Sequence, residues 1–264
     1  MKLIVLAIGV ALATTSAASA EQSAVPTKTP GTLTVGFDVP APGFWNGHVS
    51  GTTIANPTGF EAALSQAIAA RLGIKKIVYR RAPFGTLFSP APKPFDYAME
   101  EATITAERSK VVSFSAPYFD ANQGVLARKG LPAPKSIADL KKIQLCAQSD
   151  TTGLAYIQHT IRPTKKPLVY SASSTAAFDA VEAKKCDALI LDVPIVAEQS
   201  KKKPGAYGGV VGQIVTHEFY GAVMEKGSKF KPYLDSAIKA LRSNGTVSRL
   251  VKKWLLNPIP PVLK

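Results

Sequence analysis

One arginine in the sequence stands beside residues that could bind an anion with it. Arg108 closely follows Thr103 and Thr105, and the apolar stretch Phe95–Met99 before them is typical of a buried strand. A guanidinium group presents a planar fork of N–H donors that matches both oxygens of a carboxylate. Hydroxyl groups and backbone N–H groups at a strand end would add further donors. The stretch is a candidate carboxylate site, although an arbitrary loop arginine is more often solvated on the surface.

Three other places could supply the remaining groups of such a site. The predicted first strand, Thr32–Phe37, ends at Asp38 ahead of a loop rich in proline and glycine. The polar loop Gln148–Gly153 carries Thr152 into a predicted helix, and a predicted strand from Cys186 ends at Asp192. Strand ends and helix N-termini are where α/β proteins place binding groups, and helix N-termini favour anions.

The elements that would position these residues alternate between strand and helix. In the predicted helix 59–73, apolar residues recur every fourth position at Phe60, Leu64, Ile68 and Leu72, which gives one buried face. Such alternation predicts an α/β fold with mainly parallel sheets. The sequence contains no glycine-rich nucleotide motif and no catalytic signature motif. For lack of such motifs we expect no cofactor and no catalytic residue. The three histidines are scattered, so we also expect no metal site.

The first twenty residues predict export. A short basic start, an apolar core and the small residues Ala18, Ser19 and Ala20 are typical of a secretory signal peptide cleaved after Ala20. A polar tail, residues 21–30, would follow. In an oxidising compartment the two cysteines, Cys146 and Cys186, form a disulfide more often than they remain free thiols.

The charge balance is strongly basic, with a formal net charge of +14 and a pI near 9.7. Lysines occur in short, scattered groups without interleaved aromatic residues. We interpret them as a solvated surface and expect no nucleic-acid partner, although weak attraction to anionic membranes stays open.

A succession of stretches runs through nearly the whole mature chain: Leu33–Asp38, Gly59–Gly73, Phe95–Asp96, Thr103–Arg108, Phe114–Tyr118, Gln148–Gly153, Cys186–Asp192 and Gly245–Trp254. In this order they resemble the periplasmic amino-acid-binding proteins of bacterial ABC importers, the polar amino-acid family of extracellular solute-binding proteins. The resemblance implies a type II periplasmic-binding-protein fold, in which two α/β lobes are joined by two strands. Lobe 1 would comprise residues 31–121 and 221–264, and lobe 2 residues 122–220. Some branches of the family carry a lobe-2 disulfide that matches the two cysteines.

The family pattern also implies roles for individual residues. Arg108 and Thr103 from lobe 1, with Thr152 from lobe 2, would hold the α-carboxylate of an amino acid, and Asp192 would take its α-ammonium group. At the side-chain end, Asp38 would line the pocket and Phe84 would stack on the ligand. Buried partners for both ligand charges make physical sense, because an unpaired charge is costly to desolvate.

Three departures from the family pattern bear on specificity. Glu100 and Glu101 stand where many relatives have Gly or Ser, and we expect one of them, with Glu101 preferred, to point into the cleft. Ala41 replaces a usual aromatic residue, which Phe44 or Trp45 could supply instead, and Ala106 replaces a proline. Acidic groups around one cleft favour a polar or basic amino acid or a related amine.

The resemblance implies a monomeric periplasmic carrier, not an enzyme, that delivers its ligand to an ABC transporter permease. One alternative is a lyase-type enzyme on the same fold, with Glu100 or Glu101 as general acid after burial has raised its pKa. A second alternative, the sensing module of a receptor, would need a membrane-spanning segment and a signalling domain that this sequence lacks.

Overall fold

The structure is a computed structural model that describes residues 25–171, 173–255 and 259–264. The predicted signal peptide and the first residues of the predicted tail lie outside these ranges. Within the described residues, no helix is long and apolar enough to cross a membrane.

Twelve strands and eight α-helices follow one another along the described chain. The strands are β1 Thr32–Phe37, β2 Asn46–Ser50, β3 Thr53–Thr58, β4 Lys76–Arg81, β5 Tyr97–Ala98, β6 Ser113–Phe114, β7 Phe119–Arg128, β8 Leu145–Gln148, β9 Leu168–Tyr170, β10 Ala188–Asp192, β11 Tyr207–Tyr220 and β12 Val223–Met224. The helices are α1 Phe60–Arg71, α2 Ala106–Val111, α3 Ile137–Leu140, α4 Thr152–Tyr156, α5 Ser174–Glu182, α6 Val193–Lys202, α7 Lys231–Ser243 and α8 Thr246–Trp254.

The first lobe is built on a five-stranded sheet with the order β4-β1-β5-β12-β6. The strand β1 pairs in parallel with β4, from Thr32 opposite Lys76 to Phe37 opposite Arg81, and in parallel with β5. Phe60, Leu64 and Ile68 of α1 are fully buried, as their spacing predicted, in one apolar cluster with the core residues of β1. Parallel pairing puts the carboxyl end of β1, where Asp38 follows, at the sheet edge that faces the second lobe.

The second lobe is built on a sheet with the order β11-β7-β10-β8-β9. The strand β10 pairs in parallel with β8 and antiparallel with β7, so the predicted mainly parallel arrangement holds only for part of this sheet. The predicted disulfide is confirmed: Cys146 of β8 is bonded to Cys186 just before β10, with Cα atoms 6.0 Å apart.

Two long antiparallel strands, β7 and β11, connect the lobes. They pair from Tyr207 opposite Arg128 to Tyr220 opposite Phe119. At the first-lobe end, Thr103 forms a bridge with Tyr220, and the Tyr118 N–H donates to the Tyr220 carbonyl. The molecule therefore has the predicted two-lobe fold with two connecting strands.

The last residues lie against the second lobe. The Leu263 side chain is buried in the cluster that contains Val125 and Leu145, and the Leu263 N–H donates to the Gln213 carbonyl. We expected the chain to stay with lobe 1 up to residue 264, but these last contacts are with the second lobe. The predicted lobe boundaries stay predictions.

Candidate functional site

A pocket lies between the two lobes, and both contribute to its lining. The lining residues are Asp38–Ala41, Phe84, Glu100, Glu101, Thr103 and Arg108 from the first lobe, and Gln148, Thr151, Thr152, Ser173, Ser174, Leu191, Asp192 and Ile195 from the second. All seven residues predicted to bind a ligand are in this set. The structure thus brings them to one place, while their roles toward a ligand stay predictions.

Arg108 lies in the first turn of α2, a helix that the sequence analysis did not predict. The Thr105 side chain caps this helix by accepting from the Arg108 N–H at 3.1 Å. The guanidinium donates to the Thr103 carbonyl at 2.8 Å and, across the cleft, to the Asp150 carbonyl at 2.7 Å. Its carbon atom is 4.0 Å from the centre of the Phe88 ring. Burial lowers the pKa of Arg108 to about 10, which leaves the group charged at neutral pH.

Asp38 and Phe84 form another wall of the pocket. One carboxylate oxygen of Asp38 accepts from Arg81 Nε at 3.1 Å, and the other accepts from the Phe84 N–H at 3.3 Å. The half-buried Phe84 ring packs edge-on against Phe88, with centroids 5.4 Å apart. The Asp38 carboxylate therefore fixes the backbone that presents the Phe84 ring.

The N-terminus of α4 lines the second-lobe side of the pocket. The Thr151 hydroxyl caps this helix by accepting from the Leu154 N–H at 3.2 Å, and Thr152 is the first helical residue. Gly153 permits a close approach to β10, because an added Cβ would lie 2.8 Å from the Ile190 carbonyl oxygen. First-turn N–H groups have no partner within the helix, so this end of α4 presents donors to the cleft.

Asp192 is the last residue of β10 and is almost fully buried. Its carboxylate accepts from Gln123 Nε2 and, at 2.5 Å, from the Tyr220 hydroxyl. Burial, followed by the nearby Glu218 carboxylate, raises the pKa of Asp192 to about 7. A ligand cation beside Asp192 would offset this cost of burial and favour the charged carboxylate.

Glu218 of β11 is a residue that the sequence analysis missed. One of its oxygens accepts from the hydroxyls of Thr103, at 2.8 Å, and Thr152, at 2.5 Å; the other accepts from Gln123 Nε2 at 3.2 Å. A register shift in β11 lies between Ile214 and Glu218, and Glu218 lines a neighbouring opening together with Thr103 and Thr152. The Glu218 carboxylate thus bridges a threonine of each lobe.

This bridge bears on the predicted carboxylate contacts. An ionised carboxylate carries no proton, so each hydroxyl must donate its single proton to Glu218. The hydroxyl oxygens of Thr103 and Thr152 can then only accept from a ligand. In this arrangement an α-carboxylate would depend on Arg108 and backbone N–H groups.

Three glutamates lie close together at the pocket, and we call them the glutamate cluster: Glu61, Glu100 and Glu101. Glu61 of α1 is fully buried, and its carboxylate accepts from Trp45 Nε1 at 2.8 Å, from the Glu101 N–H at 2.9 Å and from the Tyr118 hydroxyl. Both Glu100 and Glu101 line the pocket, where one was expected to do so.

The question whether Phe44 or Trp45 replaces the aromatic residue near Asp38, which the sequence left open, has a negative answer. Phe44 and Trp45 are buried in the first-lobe core, and neither lines the pocket. Ala41 does line it, so a small side chain lies in the pocket wall where the family resemblance suggested an aromatic one. Among the described residues, no group of three or more His, Cys, Asp or Glu side chains is placed to hold a metal ion.

Comparison with known proteins agrees with this architecture. Residues 33–257 match the bacterial extracellular solute-binding proteins, family 3. The chain belongs to this family. This solute-binding protein is 26% identical over 201 residues to ABC transporter arginine-binding protein 1 of Escherichia coli (strain K12), an alignment that covers 74% of this chain and 81% of that protein.

Two solved structures are similar in fold. An ancestral arginine-binding protein bound to arginine superposes with a TM-score of 0.73 and 29% identity, covering 86% of this chain and 99% of the other. The ancestral amino-acid-binding protein AncCDT-1, a precursor of cyclohexadienyl dehydratase, gives a TM-score of 0.72 at 29% identity, with 86% and 96% covered. The relatives are therefore binding proteins at the family level, and one is described as a precursor of an enzyme.

Proposed function

We propose that this solute-binding protein captures an amino acid with a positively charged side chain, or a related amine, between its lobes. The observation that carries the proposal is a pair of opposite charges across one pocket: Arg108 from the first lobe and Asp192 from the second. An α-carboxylate and an α-ammonium group carry the complementary charges. Each would find a partner that is already oriented by hydrogen bonds of the protein.

The far end of the pocket supports a cationic side chain. Asp38 and Glu100 both line the pocket and would face that end of the ligand. Arg81, which pairs with Asp38 at 3.1 Å, has 42% of its side chain exposed. The similarity to arginine-binding proteins points the same way. We propose L-arginine as the first ligand to test.

The captured ligand would be delivered to the membrane permease of an ABC transporter. Ligand binding closes the lobes, and the closed form docks on the permease as a monomer. The protein would work in the periplasm after cleavage behind Ala20. Intact-mass measurement of exported protein tests the cleavage position.

A thermal-shift screen over amino acids and amines tests the proposed function. Ligand at about 1,000 times its Kd would stabilise the folded protein by about 4 kcal/mol, which corresponds to a rise in Tm of roughly 8–16 °C for a protein of this size. If no amino acid or amine raises the Tm, the proposed function is wrong.

A second candidate function is a lyase-type reaction at the same site, with Glu100 or Glu101 as general acid. It is favoured by the burial of both carboxyls, which raises the pKa of each well above its usual range and keeps a proton available. Product formation from a bound compound, followed by mass spectrometry, would support this alternative, and binding without turnover would contradict it.

A further inference from the structure

Glu100 is the member of the glutamate cluster with both carboxylate oxygens buried and without a partner, whereas in Glu101 this holds for Oε1. Only 3% of the residue is exposed, and neither carboxylate oxygen makes a hydrogen bond within the described part of the chain. Glu61, by contrast, accepts from three donors. Because an unpaired buried carboxylate costs several kcal/mol, Glu100 must either keep a proton or receive a cation from elsewhere.

The charged groups around Glu100 do not supply that cation. Asp38 and Glu61 act on it electrostatically, and Glu61, Glu100 and Asp192 act on the adjacent Glu101. All of these groups are acidic. The nearby arginines are engaged elsewhere, since Arg81 pairs with Asp38 and Arg108 donates to backbone carbonyls.

The backbone holds the cluster in this arrangement. Glu101 has φ 50°, a left-handed conformation that non-glycine residues seldom adopt, and its N–H donates to the Glu61 carboxylate. That bond anchors the chain between β5 and Thr103, so Glu100 is fixed at the lining of the pocket. Backbone strain of this kind persists where the surrounding structure over-determines it.

We propose that Glu100, together with Asp38, recognises the positively charged side-chain end of the ligand and exchanges its own proton for it. On binding, the O–H bond of the Glu100 carboxyl breaks and the proton passes to solvent, while the new carboxylate accepts N–H donors of the ligand. This inference rests on the proposed function and adds to it the release of one proton from Glu100 for each ligand bound. Burial and the neighbouring carboxylates, which raise the pKa of free Glu100, are consistent with it.

The exchange predicts a pH dependence of affinity. A proton released on binding opposes binding at low pH, so the affinity for L-arginine should rise with pH by up to about tenfold per unit over the range in which free Glu100 is protonated. L-citrulline has the same shape with an uncharged urea group. Because both ligands carry the α-ammonium group that faces Asp192, whose pKa is raised to about 7, that carboxyl adds the same pH dependence to both, and the affinity for citrulline should rise less steeply with pH than the affinity for arginine.

Isothermal titration calorimetry of the full chain tests the proposal. L-arginine is titrated at several pH values in phosphate and in Tris, whose different ionisation enthalpies report the number of protons released. We expect arginine to release about one proton more than L-citrulline does, because any proton released from Asp192 is common to both ligands. Glu100→Gln should abolish this difference between the two ligands and weaken arginine binding by about tenfold or more at pH 8, as expected for a lost charge-assisted contact. Glu107→Gln is the matched control, because this glutamate of the same stretch has 82% of its side chain exposed.

The outcomes separate this proposal from the proposed function. Arginine binding with no more proton release than citrulline binding, or with the same pH dependence in Glu100→Gln, would overturn the exchange and leave the carrier function standing. Citrulline binding as tightly as arginine, or a screen that finds only neutral or acidic amino acids, would overturn it too. If no amino acid or amine binds the wild-type protein, both proposals fail. For each variant, a Tm equal to that of the wild type shows that its change in binding does not come from misfolding.

Discussion

Arg108 is the residue whose replacement should change ligand binding most clearly. Its guanidinium is fixed on three sides, by the Thr103 carbonyl at 2.8 Å, the Asp150 carbonyl at 2.7 Å and the face of the Phe88 ring at 4.0 Å. Two N–H groups are used in these contacts, and others are left for a carboxylate. We therefore expect the ligand to meet a donor that needs little reorganisation on binding.

The size of the effect follows from these contacts. A hydrogen bond to a charged group contributes about 1.5–3 kcal/mol, so Arg108→Ala should raise the ligand Kd by roughly 10- to 150-fold at 1.4 kcal/mol per tenfold. The Asp150 bond joins the two lobes, and its loss would add to the effect by disfavouring closure. Arg108→Lys keeps the charge but loses the planar fork, so its Kd should fall between those of wild type and Arg108→Ala.

Calorimetric titration with the ligand found in the screen measures these changes. Arg249→Ala is the control, because Arg249 also donates to a backbone carbonyl, that of Asn244, but lies on α8 away from the pocket. A folded Arg108→Ala protein with wild-type affinity would refute the carboxylate assignment. An equal loss of affinity in Arg249→Ala would show that the effect is not specific to the site.

Three further predictions concern stability and closure. Replacing both Cys146 and Cys186 by Ser opens a cross-link over 40 residues, which should cost about 4 kcal/mol and lower the Tm by roughly 8–16 °C; an unchanged calorimetric Tm would contradict this. Because the pKa of Asp192 is raised from 3.8 to about 7, the folded ligand-free protein binds the proton more tightly than the unfolded chain, so stability falls as pH rises through that window. In Asp192→Asn this fall should be smaller in a thermal-denaturation series, and an identical fall would be against the assignment. Glu218→Ala removes the bridge between Thr103 and Thr152 and should increase the radius of gyration of the ligand-free protein in X-ray scattering; unchanged scattering and unchanged affinity would exclude a role in closure.

Local patterns in the sequence predicted the regular elements well where one face is apolar. The helix around Phe60 and the strand Thr32–Phe37 lie where expected. The β2–β3 hairpin was not predicted, because it is largely exposed and has polar residues on both faces. The early part of β11 was also missed, since glycines and bulges interrupt its alternation.

The candidate site was predictable where one residue type has one evident chemistry. The positions of Arg108 and Asp192 in one pocket followed from charge, strand ends and family resemblance. Glu218 gave no local signal, because its partners Thr103 and Thr152 are distant in sequence and the bulge before it is a tertiary feature. Glu61 was missed for a different reason. A glutamate at this helix position suggests exposure to solvent, and its buried partners, such as Trp45, come from other parts of the chain.

The Glu218 bridge also distinguishes between an amino acid and a simple amine as ligand. With their protons donated to Glu218, the Thr103 and Thr152 hydroxyls join Asp192 in presenting only acceptors, which suits an ammonium group. Arg108 is then the one cationic side chain that lines the pocket in the described part of the chain. Agmatine, which is arginine without its carboxylate, would satisfy the acceptors but leave the half-buried guanidinium of Arg108 without its anion. L-arginine should therefore bind at least about tenfold more tightly than agmatine, and equal affinities would mean that Arg108 serves lobe closure through Asp150 and not ligand recognition.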